Sequence, residues 1–230
     1  QNDVLKMYES YSYHKAVQKI HNFCVNELGG IYLDIVKDRL YTCKSDSVAR
    51  RSCQTSLDYL LNILVRLIAP ILSYTAEEIW QSSERLNNQE ESIFLSNYDL
   101  SEINEESAIT KSDWNRIFEI KNDVNQSIEE MRNENQLKGS LDANVFIEAN
   151  KNDLRILKKL GAELHFLFIC SETNIIENNN FKITVKSSSN QKCTRCWHRD
   201  ESVGTSKKHP DLCNRCIENV DDEGEKRSFV

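Results

Sequence analysis

Two cysteine pairs near the end of the chain, Cys193-x2-Cys196 and Cys213-x2-Cys216, set the tightest constraint on what it can fold into. Each pair fits one tight turn with both thiolates aimed at a common ion. The sixteen residues between the pairs are enough to bring the chain back to that ion. This spacing predicts a tetrahedral zinc site of four thiolates. Four protein sulfurs close the coordination shell and leave no place for an activated water. The metal is therefore expected to be structural and to supply much of the local folding free energy. His198 and His209 lie nearby as alternative ligands, but the thiolates already complete the shell. The other cysteines, Cys24, Cys43, Cys53 and Cys170, have no paired spacing and read as small core residues. Reduced thiols and one metal fit a chain of this size without a secretory leader better than disulfides do, which places the protein in the cytoplasm.

Only two prolines and six glycines interrupt the whole chain, which favours long helices over the frequent turns of an all-β fold. Apolar residues Val17, Ile20, Cys24, Leu28, Ile31, Ile35 and Val36 recur at helical spacing, with a break expected at Gly29-Gly30. Ser45-Asp46-Ser47 can cap a second helix carrying Leu57, Leu60, Leu61, Leu64, Val65 and Ile68 as far as Pro70. A third is expected from Ile71 to about Leu86, with Ile71, Leu72, Thr75 and Ile79 on one side. Helices of this length make a bundle, assigned to residues 1–88. Residues 87–107 hold six acidic residues and no Lys or Arg, so 89–108 reads as an exposed acidic connector. Residues 109–190 then predict a helix capped by Ser112-Asp113 and ending near Gly139, and a small α+β junction. Its strands are expected at 143–147, 164–170 and 181–185, with a helix from Asp153 to Leu160 closed by Gly161. Residues 191–230 form the zinc module and tail. The fold class is thus mostly α: a helical bundle, an α+β junction subdomain and a four-cysteine module.

No apolar run approaches the length of a membrane span. The first residues, Gln1-Asn2-Asp3-Val4, include no Met and no signal-peptide features, so the chain reads as part of a longer protein. No catalytic arrangement is visible. His14, His21 and His165 have no partners that would make a triad, and Glu77-Glu78 point in different directions from one helix. The net charge of −7 argues against a generally basic surface. Locally the balance reverses: from Lys186 to Cys216 there are seven basic residues against three acidic, a surplus of four. Arg195, Arg199, Lys207, Lys208 and Arg215 are candidate phosphate contacts. Trp197 is either a platform for an unpaired base or a cover for the zinc core. Lys37, Arg39, Lys44, Arg50 and Arg51 form a second basic group at a helix corner, of which Lys37, Arg39, Arg50 and Arg51 are candidate RNA contacts.

These residues also carry a resemblance. The segments Ile31–Tyr41, Leu67–Leu72 and Thr75–Trp80 resemble helices of an anticodon-binding bundle, and Lys138–Ala143 resembles a junction that follows it. Cys193-Thr194-Arg195-Cys196-Trp197-His198, Cys213-Asn214-Arg215-Cys216 and Gly224-Glu225-Lys226-Arg227 resemble the zinc module and tail of bacterial isoleucyl-tRNA synthetases. The resemblance covers nearly the whole chain and implies the C-terminal region of such an enzyme. It implies tRNA(Ile) as partner, together with the remainder of the synthetase chain, and a monomer. ATP and Mg2+ would serve only the full enzyme, because the HIGH and KMSKS signatures and any editing region are absent here. This chain alone is expected to bind tRNA near the anticodon without activating an amino acid. The alternative is a zinc-stabilised RNA- or protein-interaction module without catalytic activity. A zinc hydrolase is disfavoured by the closed shell.

Overall fold

The computed structural model describes residues 1–83, 90–98 and 107–230. Residues 89 and 99–106 of the acidic connector and the expected helix end near Leu86 lie outside them. The chain divides into two compact units, one of Gln1–Asp34 with Ser52–Asn104 and one of Ile35–Arg51 with Glu105–Val230. Residues 35–51, read from sequence as part of the bundle, thus cluster with the C-terminal portion. Among the described residues no helix is long and apolar enough to cross a membrane.

In the first unit α1 (Asn2–Glu9) and α2 (Tyr13–Asn22) turn back on each other through Tyr11, at φ 54°. Val4, Ala16 and Leu67 form their common core, and the Tyr8 hydroxyl donates to the Leu67 carbonyl at 2.6 Å. The expected break at Gly29-Gly30 is absent. The chain runs from α2 through a π-helical stretch, Phe23–Tyr32, into α3 (Leu33–Thr42). A Cβ on Gly29 would stand 3.0 Å from the Cys24 carbonyl oxygen, and one on Gly30 would stand 3.2 Å from that of Val25. Both carbonyls lie five residues back, so the glycines admit the wider turn rather than stop the helix.

Helix α4 (Val48–Ile68) starts where expected: the Ser47 hydroxyl accepts from the Arg50 amide at 3.3 Å and bonds one of the otherwise unpaired first-turn donors. It stops two residues before Pro70, and α5 (Ser73–Ser82) begins three residues after. The face α5 buries is Ala76 and Trp80, not the expected Leu72 stripe; Leu72 is half exposed. Glu77 accepts from the Ser92 hydroxyl at 2.9 Å and the Ile93 amide at 3.0 Å, which pins the short turn Ile93–Leu95 onto α5. Trp80 packs with Val65, Ala69 and Ile93, donates to the Glu90 carbonyl at 2.9 Å and lies under the Arg66 guanidinium. Trp80→Ala removes a side chain that is 1% exposed and is expected to cost about 3–5 kcal/mol, read as a shift in the urea midpoint.

In the second unit α6 (Lys111–Asn133) buries Ile117, Ile120, Val124 and Ile128 at steps of three and four. Its cap is Thr110, two residues before the expected one. The Thr110 hydroxyl accepts from the Asp113 amide, and the Asp113 carboxylate accepts from the Thr110 amide. The Lys159 ammonium, 2.7 Å away, together with these bonds, holds the Asp113 carboxyl at about 2. Behind α6 lies a three-stranded sheet of order β2-β1-β3, with β1 Ala143–Ala149, β2 Glu172–Glu177 and β3 Lys182–Ser187. β1 pairs parallel with β2 and antiparallel with β3. Alternate residues of β1, from Ala143 through Val145 and Ile147 to Ala149, are buried, as the central position requires.

One expected strand is wrong. Residues 164–170 are not a strand: α8 (Leu164–Phe168) follows α7 (Lys151–Lys158) and ends on Ile169 in the left-handed region, at φ 53°. A short run that is apolar but for His165 has no periodicity to separate a buried helical turn from a buried strand. The strand of this region is β2, whose more polar sequence drew no expectation.

Candidate metal centre

The first cysteine pair sits on a turn closed by the Trp197 amide on the Cys193 carbonyl at 3.0 Å and the Cys193 amide on the His198 carbonyl at 2.9 Å. An isolated bridge between Lys192 and Arg199 flanks it. Cys213 stands at the N-terminus of α9 (Asn214–Asp221), and Cys216 lies in that helix's first turn. The four sulfurs lie within 4.8 Å of one another and all four residues are buried. Cys196 and Cys213 are 3.7 Å apart at sulfur, against about 3.8 Å for the edge of a tetrahedron with zinc–sulfur bonds of about 2.3 Å. The Cys213 amide donates to Cys193 Sγ at 3.4 Å, and Arg195 Nη1 stands 3.7 Å from Cys216 Sγ. Such donors suit ionised sulfurs, so the site fits zinc in its donor set, its geometry and the Arg195 charge beside Cys216. His198 and His209 are not ligands. His198 Nδ1 meets the Cys196 carbonyl at 3.3 Å, and His209 pairs with Asp221 at 2.9 Å.

Without a cation the four sulfurs cannot all ionise. Hydrogen bonds from Cys213 and Cys216 hold Cys196 well below the thiol range, while the same contacts with Cys196 push Cys213 and Cys216 up. A divalent ion reverses this by favouring the ionised form of every ligand.

Around the centre the candidate RNA residues differ in exposure. Arg195, Arg199, Arg215 and Arg39 bond inside the chain. Arg195 donates to the Thr42 carbonyl at 2.6 Å, and Arg199 to Asp142 at 2.6 Å and to the Asn190 carbonyl at 2.9 Å. Arg215 grips Asp38 with both terminal nitrogens, at 2.8 and 2.9 Å, and Arg39 donates to the Arg227 carbonyl at 3.2 Å. Their charge is spent on carboxylates and carbonyls rather than left for phosphate. Lys37, Arg51, Lys207 and Lys208 are exposed, and Arg50 is half buried.

Trp197 does not cover the zinc core, which consists of the four cysteines, Val203 and Leu212. It is 61% exposed, and its backbone is left-handed at φ 68°. A bulky side chain in that region costs about 1–2 kcal/mol, a strain seen where backbone serves a site. Lys192 stands over the indole at 5.8 Å.

Sequence reading missed a buried ionic cluster beside the metal. Arg227, 1% exposed at its side chain, pairs with Asp38 and with Glu225, and its guanidinium lies 3.2 Å from the Phe166 ring centroid. Glu225 also receives Arg215 at 3.1 Å, Asn219 at 3.0 Å and the Cys43 thiol at 3.2 Å. Burial pushes the Asp38 carboxyl up, but Arg215, then Arg227 and His198, outweigh it and hold the group at about 2. Burial, with His198 and the same arginines, pushes His165 down to about 3, so it packs as a neutral ring. Cys43, Cys53 and Cys170 are buried and Cys24 half buried, while His14 and His21 are on the surface.

Residues 1–147 match the family described as the anticodon-binding domain of tRNA ligase, and residues 190–219 match a zinc finger found in FPG and IleRS. Over its whole length the chain is similar to isoleucine–tRNA ligases. It is 41% identical over 241 residues to that of Saccharophagus degradans, 42% over 245 to that of Hahella chejuensis and 40% over 242 to that of Legionella pneumophila strain Paris. In each comparison it spans 26% of the relative's length.

Proposed function

Because the chain belongs to the family of anticodon-binding domains of tRNA ligases, we propose that it is the C-terminal tRNA-binding region of a cytoplasmic, monomeric isoleucine–tRNA ligase. It holds tRNA(Ile) by its anticodon region while a catalytic region outside this chain carries out aminoacylation with ATP and Mg2+. The observation that carries this reading is the pairing of an anticodon-binding match with a zinc-finger match of the IleRS type around four convergent, buried thiolates. In this role the zinc is structural.

The contacts follow from exposure. Trp197 offers an open aromatic face to an unpaired base, the usual way single-stranded loops are held. Lys207, Lys208, Lys37, Arg50 and Arg51 are the phosphate contacts, whereas Arg195, Arg199, Arg215 and Arg39 hold the protein together. Five cations on phosphates give a log–log salt slope of about −4, or roughly 10²-fold weaker binding between 50 and 200 mM salt. Trp197→Ala loses one stacked base, worth about 1–3 kcal/mol, and at least fivefold in affinity. Anisotropy titration with labelled tRNA measures both. A folded, zinc-replete Trp197→Ala chain with unchanged affinity removes Trp197 from the interface, and a flat salt dependence removes the five cations.

A further inference from the structure

Each knuckle of the zinc module has an arginine one residue before its second ligand, and both arginines reach to the same stretch of chain. Arg195, before Cys196, bonds the Thr42 carbonyl at the end of α3. Arg215, before Cys216, takes Asp38 one turn earlier and the Thr42 hydroxyl at 3.1 Å. Arg227 meets Asp38 from the tail. The Lys44 amide donates to Asn219 Oδ1 at 3.0 Å, and the Lys44 ammonium donates to the Asp222 carbonyl at 3.0 Å. At Gly224, φ is 88° and a Cβ would stand 3.0 Å from Lys44 Cβ, so the tail lies directly against this turn.

Residues 38–44 are therefore held by groups whose spacing depends on one ion. Cys196 and Cys216 share that ion, so Arg195 and Arg215 are fixed relative to each other only while it is bound. The corner that this stretch belongs to carries Lys37, Arg50 and Arg51. It also carries two large side chains left open to solvent, Tyr41 at 75% exposure and Val48 at 82%. Their own packing does not hold them in place, so their positions depend on the backbone beneath.

We infer that Asp38 is a positioning residue: through Arg215 and Arg227 it makes the placement of the basic corner 37–51, and with it the affinity for tRNA, depend on zinc in the neighbouring module. The inference rests on the reading of the chain as tRNA-binding. It adds that zinc and tRNA are coupled ligands, each strengthening the other by the same factor.

The test is a cycle of zinc against Asp38→Asn, read by tRNA affinity of the full 230-residue chain, with zinc content measured by elemental analysis. Wild-type chain with zinc should bind tRNA at least about 10-fold more tightly than the same chain after chelation. Asp38→Asn should keep one zinc per chain yet bind several-fold more weakly than zinc-loaded wild type, and chelation should weaken it by a clearly smaller factor than it weakens wild type, the remainder being the loss of Trp197, Lys207 and Lys208 with the module. Asp38→Glu, which restores a carboxylate, should recover part of the zinc effect. A side chain that merely stabilised the fold would lower affinity with and without zinc alike and leave the zinc effect intact. A full zinc effect in Asp38→Asn overturns the inference alone. A wild-type chain that binds no tRNA in either state overturns the tRNA reading and the inference with it. If Asp38→Asn does not retain zinc, Arg227→Lys takes its place with the same outcomes, since it keeps a charge but cannot span Asp38 and Glu225.

Discussion

Replacing Cys213 by Ser is expected to strip the chain of zinc and unfold the module from about residue 191 to 222, leaving the first unit folded. The size of the effect follows from how little else holds this segment. Its buried cluster is the four ligands with Val203 and the half-buried Leu212, far too little apolar surface to order some thirty residues. Zinc at four thiolates supplies about 10–16 kcal/mol near neutral pH, which exceeds any other single contribution here. Without it, the two turns lose the centre that joins them. Elemental analysis should fall from one zinc per chain to none. Amide hydrogen exchange should lose protection at Cys193, Trp197 and Ile217, whose amides close the two knuckles, while α1 and α2 keep theirs. A Cys213→Ser chain that retains stoichiometric zinc and these protected amides would show that the fourth thiolate is not a ligand.

Arg227→Ala is expected to cost about 3–5 kcal/mol, a loss matched outside the metal shell by Trp80→Ala. The guanidinium is almost fully buried between Phe166 and two carboxylates, so truncation removes packing and leaves Asp38 and Glu225 to share Arg215. Two buried carboxylates facing one cation are a worse arrangement than the native set, and the cost is that of uncompensated charge rather than of a lost contact. Lys208→Ala is the matching control. Its partner Asp221 is as close, at 2.8 Å, but Lys208 is 71% exposed and the loss should stay below about 1 kcal/mol. Urea unfolding followed by near-ultraviolet dichroism compares the two. Equal, small shifts would mean that the cluster is solvated and does not organise the tail.

The metal centre was legible from sequence because spacing alone carries it: a thiol pair with two residues between its members has few other uses in a reduced protein. The long helices were legible for the same reason, through repeats that a single face must satisfy. What could not be read was which charge meets which. Arg215 and Asp38 are 177 residues apart, and nothing in either neighbourhood distinguishes an arginine that will face a carboxylate from one that will face phosphate. On that account the sequence alone places Arg39, Arg195, Arg199 and Arg215 facing RNA, whereas all four turn inward. Gly29-Gly30 misled in another way. Glycine in a helix usually signals a weak point, but here the wide turn needs its missing Cβ against a carbonyl five residues back. The run 164–170 lacked any polar residue frequent enough to set a period. Trp197 was visible as an aromatic among cations, whereas its left-handed backbone and open face belong to the turn geometry, which the sequence does not spell out.

The most direct measurement of the tRNA-binding reading is the affinity of the zinc-loaded chain for tRNA(Ile) and for the same transcript with its anticodon replaced, at one fixed salt concentration. Reading unpaired anticodon bases should separate the two by at least about 10-fold, since one lost base contact is worth about 1–3 kcal/mol. Equal affinity for both transcripts would contradict it and leave only a charged, zinc-braced surface without preference for the anticodon.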